Sequence, residues 1–397
     1  MSLDMSLAPD ESRTMQTTPL KVAFVSETWT PEINGVTHTL SKLVTRLHER
    51  RYVLQLIRPR PDQSQREPLA SEELQVKAFP VLDYDGVHIG WINPSRLRTF
   101  WKAHRPDVIY IATEGPLGMV ALRVARQLGI PVVSGFHTNF DQYSQHYLLL
   151  RIVRPFVSRF LKRFHNKTAM TLVPTQQQAH RMTSQGYQRV NVMGRGLDHA
   201  LFSPSHRDDS LRQEWGATDQ DCVALYVGRL AIEKNIPLLI ESLKALRQQN
   251  PHQIAVVVGD GPMRKEVEKQ LPWVRCIGFQ QGEQLARYYA SADFFVFPSL
   301  SETFGNVVTE AMASGLAVVA FDYAAAGELI HSGSNGIVVS CHDKAAFIEA
   351  VLHLQQDLDM INRLKVAARE RVAPLEWSRI ADTFIDYLHQ AKELNHA

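Results

Sequence analysis

The sequence predicts an α/β protein of two doubly wound parallel-sheet domains that face each other across a cleft. Three observations carry this expectation. Short apolar runs alternate with amphipathic helical patterns from Lys21 onward. The alternation pauses near residues 194–204 and then restarts. The chain has 397 residues, 45% of them hydrophobic, enough for more than one core.

The first strand is expected at residues 21–26, followed by a turn through Pro31 and Asn34–Gly35. A helix is expected over 36–50, because Leu40, Leu43, Val44 and Leu47 fall on one face at helical spacing. Further strands are expected at 52–57, 75–79, 108–112, 131–135, 170–173 and 190–193. The second unit has them at 224–227, 254–259, 274–278, 294–298 and 317–321. The boundaries follow: a polar, disordered tail over 1–18, a first domain over 19–199 completed by 376–397, and a second domain over 200–375.

Composition excludes several classes. Forty-three Lys and Arg against 41 Asp and Glu give a net charge of +2, which is neither a globally basic nucleic-acid binder nor an acidic tail protein. Gly (21) and Pro (20) are too few for a collagen-like or low-complexity chain. The three cysteines, Cys222, Cys276 and Cys341, are scattered, which argues against a disulfide scaffold or structural zinc and fits a reducing compartment. No secretory signal is read in 1–18 and no run approaches the ~18 apolar residues of a membrane span. A cytoplasmic protein, peripheral on the inner membrane face, is expected.

The most informative string is FPSLSETFGNVVTEAMASGLAVVA, residues 297–320. A strand ends at Pro298, Glu302 follows in a loop, and a helix opens near Gly305 with Glu310 further along it. Helix N-terminal amides suit a diphosphate or sugar hydroxyls, and carboxylates accept strong hydrogen bonds from hydroxyls. Taken alone, Glu302 reads as a capping acid and Glu310 as a solvated helix residue. A second string, YVGRLAIEKN, places Arg229 and Lys234 in a loop after a strand. They are either solvated loop cations or the charges that meet a departing diphosphate.

Together the strings resemble the donor-site signature of the retaining GT-B glycosyltransferases of family four. The pattern P-S-x-x-E-x-F-G-x-x-x-x-E-A-M-A-x-G is met at every fixed position from Pro298 to Gly315, with Ala317 where a proline is common. The resemblance implies two Rossmann-like domains, and Glu302 with Thr303, Phe304, Gly305, Asn306 and Val307 on the transferred sugar. It implies Glu310 on the nucleotide ribose, and Arg229 and Lys234 on the diphosphate. The donor is a UDP-, GDP- or ADP-linked sugar acting as co-substrate, with no other cofactor and no required metal. Gly35 opens the first helix, where backbone can approach a phosphate. The N-G-V-T string there resembles sulfoquinovosyl-diacylglycerol synthases and bacterial GDP-mannose-dependent mannosyltransferases. In VVSGFHTNFDQY, His137 follows a strand and matches the same subgroup, as a sugar contact or proton shuttle. IATEGPLG places Glu114 on the acceptor side. Asp198 is expected to anchor the interdomain loop, and Asp83–Asp85 reads as a surface turn rather than a metal site.

From Gln142 to Leu197 nine Lys or Arg occur without one Asp or Glu. Arg151, Arg154, Arg159, Lys162, Arg163 and Lys167 accompany Phe156, Phe160 and Phe164 in one amphipathic stretch. The stretch is expected to touch an anionic inner-leaflet surface, and no nucleic-acid partner is expected. The function expected is a retaining hexosyltransferase acting on a membrane lipid such as diacylglycerol or a phospholipid headgroup. The alternatives are a soluble or polysaccharide acceptor, a nucleotide-sugar epimerase, and a non-catalytic membrane scaffold.

Overall fold

The computed structural model describes residues 19–30, 32, 34–61, 66–80, 88–137, 148–218 and 220–394; of 80 and 148–154 it describes the backbone. The tail 1–18 and the Asp83–Asp85 pair lie outside the described residues.

The first sheet contains β1 (Lys21–Val25), β2 (Val53–Pro59), β3 (Glu72–Pro80), β4 (His88–Trp91), β5 (Val108–Ile111), β6 (Val132–Gly135), β7 (Met170–Val173) and β8 (Val190–Val192). Their spatial order is β4-β3-β2-β1-β5-β6-β7-β8, parallel except for the β3/β4 pair. The second sheet contains β9 (Val223–Val227), β10 (Ile254–Val258), β11 (Arg275–Gly278), β12 (Phe294–Phe297), β13 (Ala317–Phe321) and β14 (Ile337–Val339). Its order is β11-β10-β9-β12-β13-β14, and its pairs are parallel. Strands β4 and β14 were not anticipated, being short pieces without a clear period.

Central strands such as VIYI (β5) and FFVF (β12) are buried along their whole length, because helices cover both faces of a parallel sheet. The helix Gly35–Glu49 starts on Asn34, whose side chain accepts the Thr37 N–H, and buries Leu40, Leu43, Val44 and Leu47. Each sheet reverses direction of growth once, between β1 and β5 in the first and between β9 and β12 in the second. Crevices open at such switch points, at the carboxyl ends of the strands. Two chain segments join the halves side by side, with Leu197 N–H donating to Leu375 C=O at 2.7 Å. The last helix, Trp377–Leu394, returns to the first sheet. There Phe384 packs edge-on against Tyr110 with ring centroids 4.9 Å apart, and against Phe24.

Candidate active site

The second switch point brings together the loops after β9 and β12. After β9, Arg229 has its side chain 57% exposed, with Glu233 at 3.7 Å. Lys234 ends a short 3-10 turn and reaches across to the other loop, donating to Ser301 C=O at 2.9 Å and to Glu302 Oε1 at 2.5 Å. Ser299 Oγ donates to the same carboxylate oxygen at 2.8 Å, and Tyr323 Oη to the Glu302 carbonyl at 3.0 Å. Glu302 is therefore held from three elements, and its pairing with Lys234 is mostly shielded from water. The two motifs, nearly 70 residues apart in sequence (|i−j| = 68), converge on one point.

The helix Asn306–Ala313 opens here. Its N-cap, Gly305, sits at φ 93°, a left-handed conformation that a side chain resists. The cap makes no side-chain hydrogen bond; of the first N–H groups of the helix, that of Val308 donates to Gly305 C=O at 3.0 Å. Asn306 and Val307 are half-buried at this end. Phe304 departs from the expected placement: its side chain is 8% exposed and belongs to the core of the second domain. An aromatic ring between β12 and the helix is more stable in the core than over a polar cleft, so only its backbone is left to meet a sugar. Glu310 accepts a hydrogen bond from Tyr289 Oη at 3.0 Å, and burial pushes its carboxyl up to about 7.

On the first domain, Gly35 is the exposed first residue of its helix, with open space around it. His137, after β6, is 7% exposed, and its ring turns inward. Arg195 Nη2 donates to His137 Nδ1 at 2.8 Å, and His137 Nε2 is 2.9 Å from Tyr110 Oη. Burial and the Arg195 charge hold the imidazole well below its usual pKa. The expectation of a proton-shuttling His137 is thus corrected, since both ring nitrogens are engaged inside the domain. Its carbonyl, by contrast, faces the loop after β12 and accepts a hydrogen bond from Thr303 Oγ1 at 2.9 Å. Glu114 lies at the end of β5, 3.1 Å from His165 Nε2.

Sequence reasoning missed Glu27, although its place one residue past Ser26 at the first switch point was a legible signal. Its Oε1 accepts the Leu117 N–H at 2.8 Å, capping the helix Pro116–Leu128 from outside. Burial, with the nearby Glu114 charge adding to it, pushes the Glu27 carboxyl up to about 7. Arg195 was also missed. Among the described residues no cluster of three or more His, Cys, Asp or Glu is arranged to hold a metal.

The amphipathic helix spans Leu148–His165 and contains Pro155. The side chains of Arg151 and Arg154 lie outside the described residues. Phe156 is 76% exposed and Phe160 37%, but Phe164, at 4%, is a core residue. It is removed from the expected surface patch because that end of the helix packs onto the first sheet. Lys162 donates to Gln185 C=O, while Arg159, Arg163 and Lys167 are exposed. No helix among the described residues is long and apolar enough to cross a membrane.

Comparison with known proteins decides the family. The family model "Glycosyltransferase Family 4" matches residues 33–201, and "Glycosyl transferases group 1" matches residues 207–371. A GDP-mannose-dependent alpha-mannosyltransferase of Mycolicibacterium smegmatis is 30% identical over 93% of this chain and 96% of its own. The chain belongs to glycosyltransferase family 4. An alpha-monoglucosyldiacylglycerol synthase of Acholeplasma laidlawii is 24% identical over 89% of this chain and 93% of its own. The solved sucrose-phosphate synthase of Thermosynechococcus elongatus matches with a TM-score of 0.77 at 19% identity, covering 93% of this chain and 98% of that one. The fold of this family 4 member is thus GT-B, and the chain is a glycosyltransferase.

Proposed function

We propose that this glycosyltransferase moves a hexosyl group from a nucleotide-diphospho-sugar to a hydroxyl of a membrane lipid, with retention of anomeric configuration. The Lys234–Glu302 contact beside an uncapped helix N-terminus supports the donor reading. Glu302 and the amides of 303–307 hold the sugar, Glu310 the ribose, and Arg229 and Lys234 the diphosphate. The bond from sugar C1 to the β-phosphate breaks, and the bond from C1 to the acceptor oxygen forms on the same face. The acceptor proton passes to a β-phosphate oxygen. The two cations and the helix amides stabilise the charge that develops on the leaving group, and no metal is assigned a part.

One observation carries the lipid acceptor. A groove of about 640 Å³ runs between the helices Pro116–Leu128 and Leu148–His165, with the exposed Met119 and Phe160 along it and the core residues Leu122 and Phe164 at its floor. Arg123, Arg126, Arg163 and Lys167 line it too, and none of them makes an ion pair among the described residues. Apolar surface ringed by unpaired cations is the complement of anionic lipid, at ~1 kcal/mol per cation near the headgroups. The enzyme thereby works on the cytoplasmic face of a membrane.

The test is a donor panel. The protein is mixed with UDP-, GDP- and ADP-sugars, GDP-mannose first, and with anionic vesicles containing diacylglycerol, and products are read by mass spectrometry. A glycolipid lost in Glu302→Ala supports both halves. Nucleotide release without glycolipid overturns the lipid acceptor, and no turnover with any donor overturns the donor reading.

A further inference from the structure

Arg195 is an unusual cation. It lies between Gly194 and Gly196 in the segment that joins the two domains, and it is 6% exposed. Its guanidinium donates to Met193 C=O and Gly194 C=O at 3.3 Å each, and to His137 Nδ1 at 2.8 Å. Among the described residues no carboxylate pairs with it. A buried charge without a counter-ion is costly, so its retention calls for a reason.

The geometry supplies one. Arginine has donors only, so the nitrogen it meets must carry a lone pair. His137 Nδ1 is therefore unprotonated, and Nε2 bears the hydrogen and donates it to Tyr110 Oη at 2.9 Å. Tyr110 is fully buried and burial raises its pKa, so it stays a phenol. With both ring nitrogens fixed, the backbone at His137 is fixed. Its carbonyl is the acceptor for Thr303, one residue from Glu302.

We propose that Arg195 is a positioning residue of the transferase: donating into Nδ1, it locks His137 in the Nε2–H tautomer and so sets the His137 carbonyl where Thr303 meets it. The proposal rests on the donor reading of the Glu302 loop for its catalytic consequence. The titratable groups around His137 are Tyr110 from β5, Arg195 after β8, and His165 from the helix Leu148–His165, itself paired with Glu114. Without the guanidinium the imidazole is freed to gain a second proton at higher pH, and the contact with Thr303 loosens.

The experiment uses the full chain with ¹⁵N-labelled histidine, His137 being assigned by difference with His137→Asn. In the wild type, ring correlations show His137 protonated on Nε2 alone, unchanged from about pH 8 to about pH 5.5. In Arg195→Met the ring titrates within that range. Donor kcat falls about tenfold while donor KM moves less than about threefold. The acid limb of the kcat profile moves to higher pH, and Arg195→Lys restores part of both. A wild-type His137 protonated on Nδ1, or titrating in that range, overturns the proposal. So does an Arg195→Met enzyme with unchanged kcat and pH profile. If Arg195→Met does not fold, the wild-type titration and Arg195→Lys decide. Full donor turnover by Glu302→Ala would instead overturn the donor reading, while the tautomer result would be unaffected.

Discussion

Thr303 Oγ1 donates to the carbonyl of His137 at 2.9 Å, a side chain of one domain closing on the backbone of the other. The bond joins the end of β6 to the loop after β12, next to the Lys234–Glu302 pair. On the proposed donor reading it lies beside the sugar, so the contact that closes the cleft would also be part of the wall of the site. Thr303→Val removes the donor and leaves the carbonyl without it. Loss of about 1 kcal/mol of closure shifts the open-to-closed ratio about fivefold. The expected outcome is a several-fold fall in donor kcat/KM with an unchanged Tm, and a larger radius of gyration in solution scattering. An unchanged kcat/KM would mean that this bond does not govern closure.

Of the two cations proposed to meet the donor diphosphate, Lys234 is expected to be the more sensitive. Arg229 is largely exposed, whereas Lys234 is anchored to Ser301 C=O and Glu302 and is shielded from water. A preorganised charge is worth more than a mobile one, so Lys234→Met should lower donor kcat by about 10²–10³, and Arg229→Met by less. Steady-state kinetics on both variants ranks them. Equal losses would assign the two cations equal weight.

Glu310 gives a pH test. Its folded pKa is raised to about 7 by burial, while an unfolded glutamate titrates near 4.5. Between those values the folded protein binds more protons than the unfolded one, so the Glu310 contribution to stability is complete below pH 4.5 and is lost as pH rises through 7. The loss is about 3 kcal/mol, or about 10 °C in the unfolding of the second domain. Glu310→Gln does not titrate, and its Tm should fall less than that of the wild type between pH 5 and pH 8. A wild-type and variant Tm that move in parallel would refute the raised carboxyl.

Gly115 and Glu27 form a tight pair. A Cβ on Gly115 would meet Glu27 Oε2 at 1.8 Å, and Glu27 is tied to Leu117 N–H and cannot step aside freely. Gly115→Ala should cost about 2 kcal/mol or more through overpacking. Glu27→Ala removes the obstructing carboxylate, so the double variant should be more stable than the two single losses predict. Denaturant unfolding of the four proteins measures the coupling, and simple additivity would show that the clash is relieved elsewhere.

Much of this was legible because the chemistry is local in sequence. The string from Pro298 to Gly315 carries a strand end, a left-handed cap and both glutamates; the direct contact of Glu302 with Lys234 of YVGRLAIEKN is a finding of the structure that neither string states. The helix Gly35–Glu49 buries the four residues that its spacing selected. The failures are non-local. Phe160 and Phe164 share one helical stripe, and which of them is covered depends on how far the first sheet and its helices reach along it. The state of His137 is set by Arg195, 58 residues away, and that of Glu27 by a helix 90 residues on. Strand β4 pairs antiparallel at the sheet edge, where its four residues, HIGW, show no continuous apolar run.

The groove between Pro116–Leu128 and Leu148–His165 makes a prediction separable from catalysis. Arg126 and Arg163 line it from opposite helices, both exposed and without an ion pair among the described residues. Reversing both charges changes the local charge by four units, so binding to anionic vesicles should fall by about 4 kcal/mol at low salt and by less as salt screens the field. Both residues stand away from the loops after β9 and β12, so donor binding in solution should be unchanged. Phe156→Ser removes an apolar side chain that is 76% exposed, and its effect should persist at high salt, since insertion of an aromatic ring is not a charge effect. Vesicle sedimentation across a salt series distinguishes the two contributions. Full retention by both variants would overturn the membrane reading of this groove, and loss that tracks salt in both would make the patch purely electrostatic.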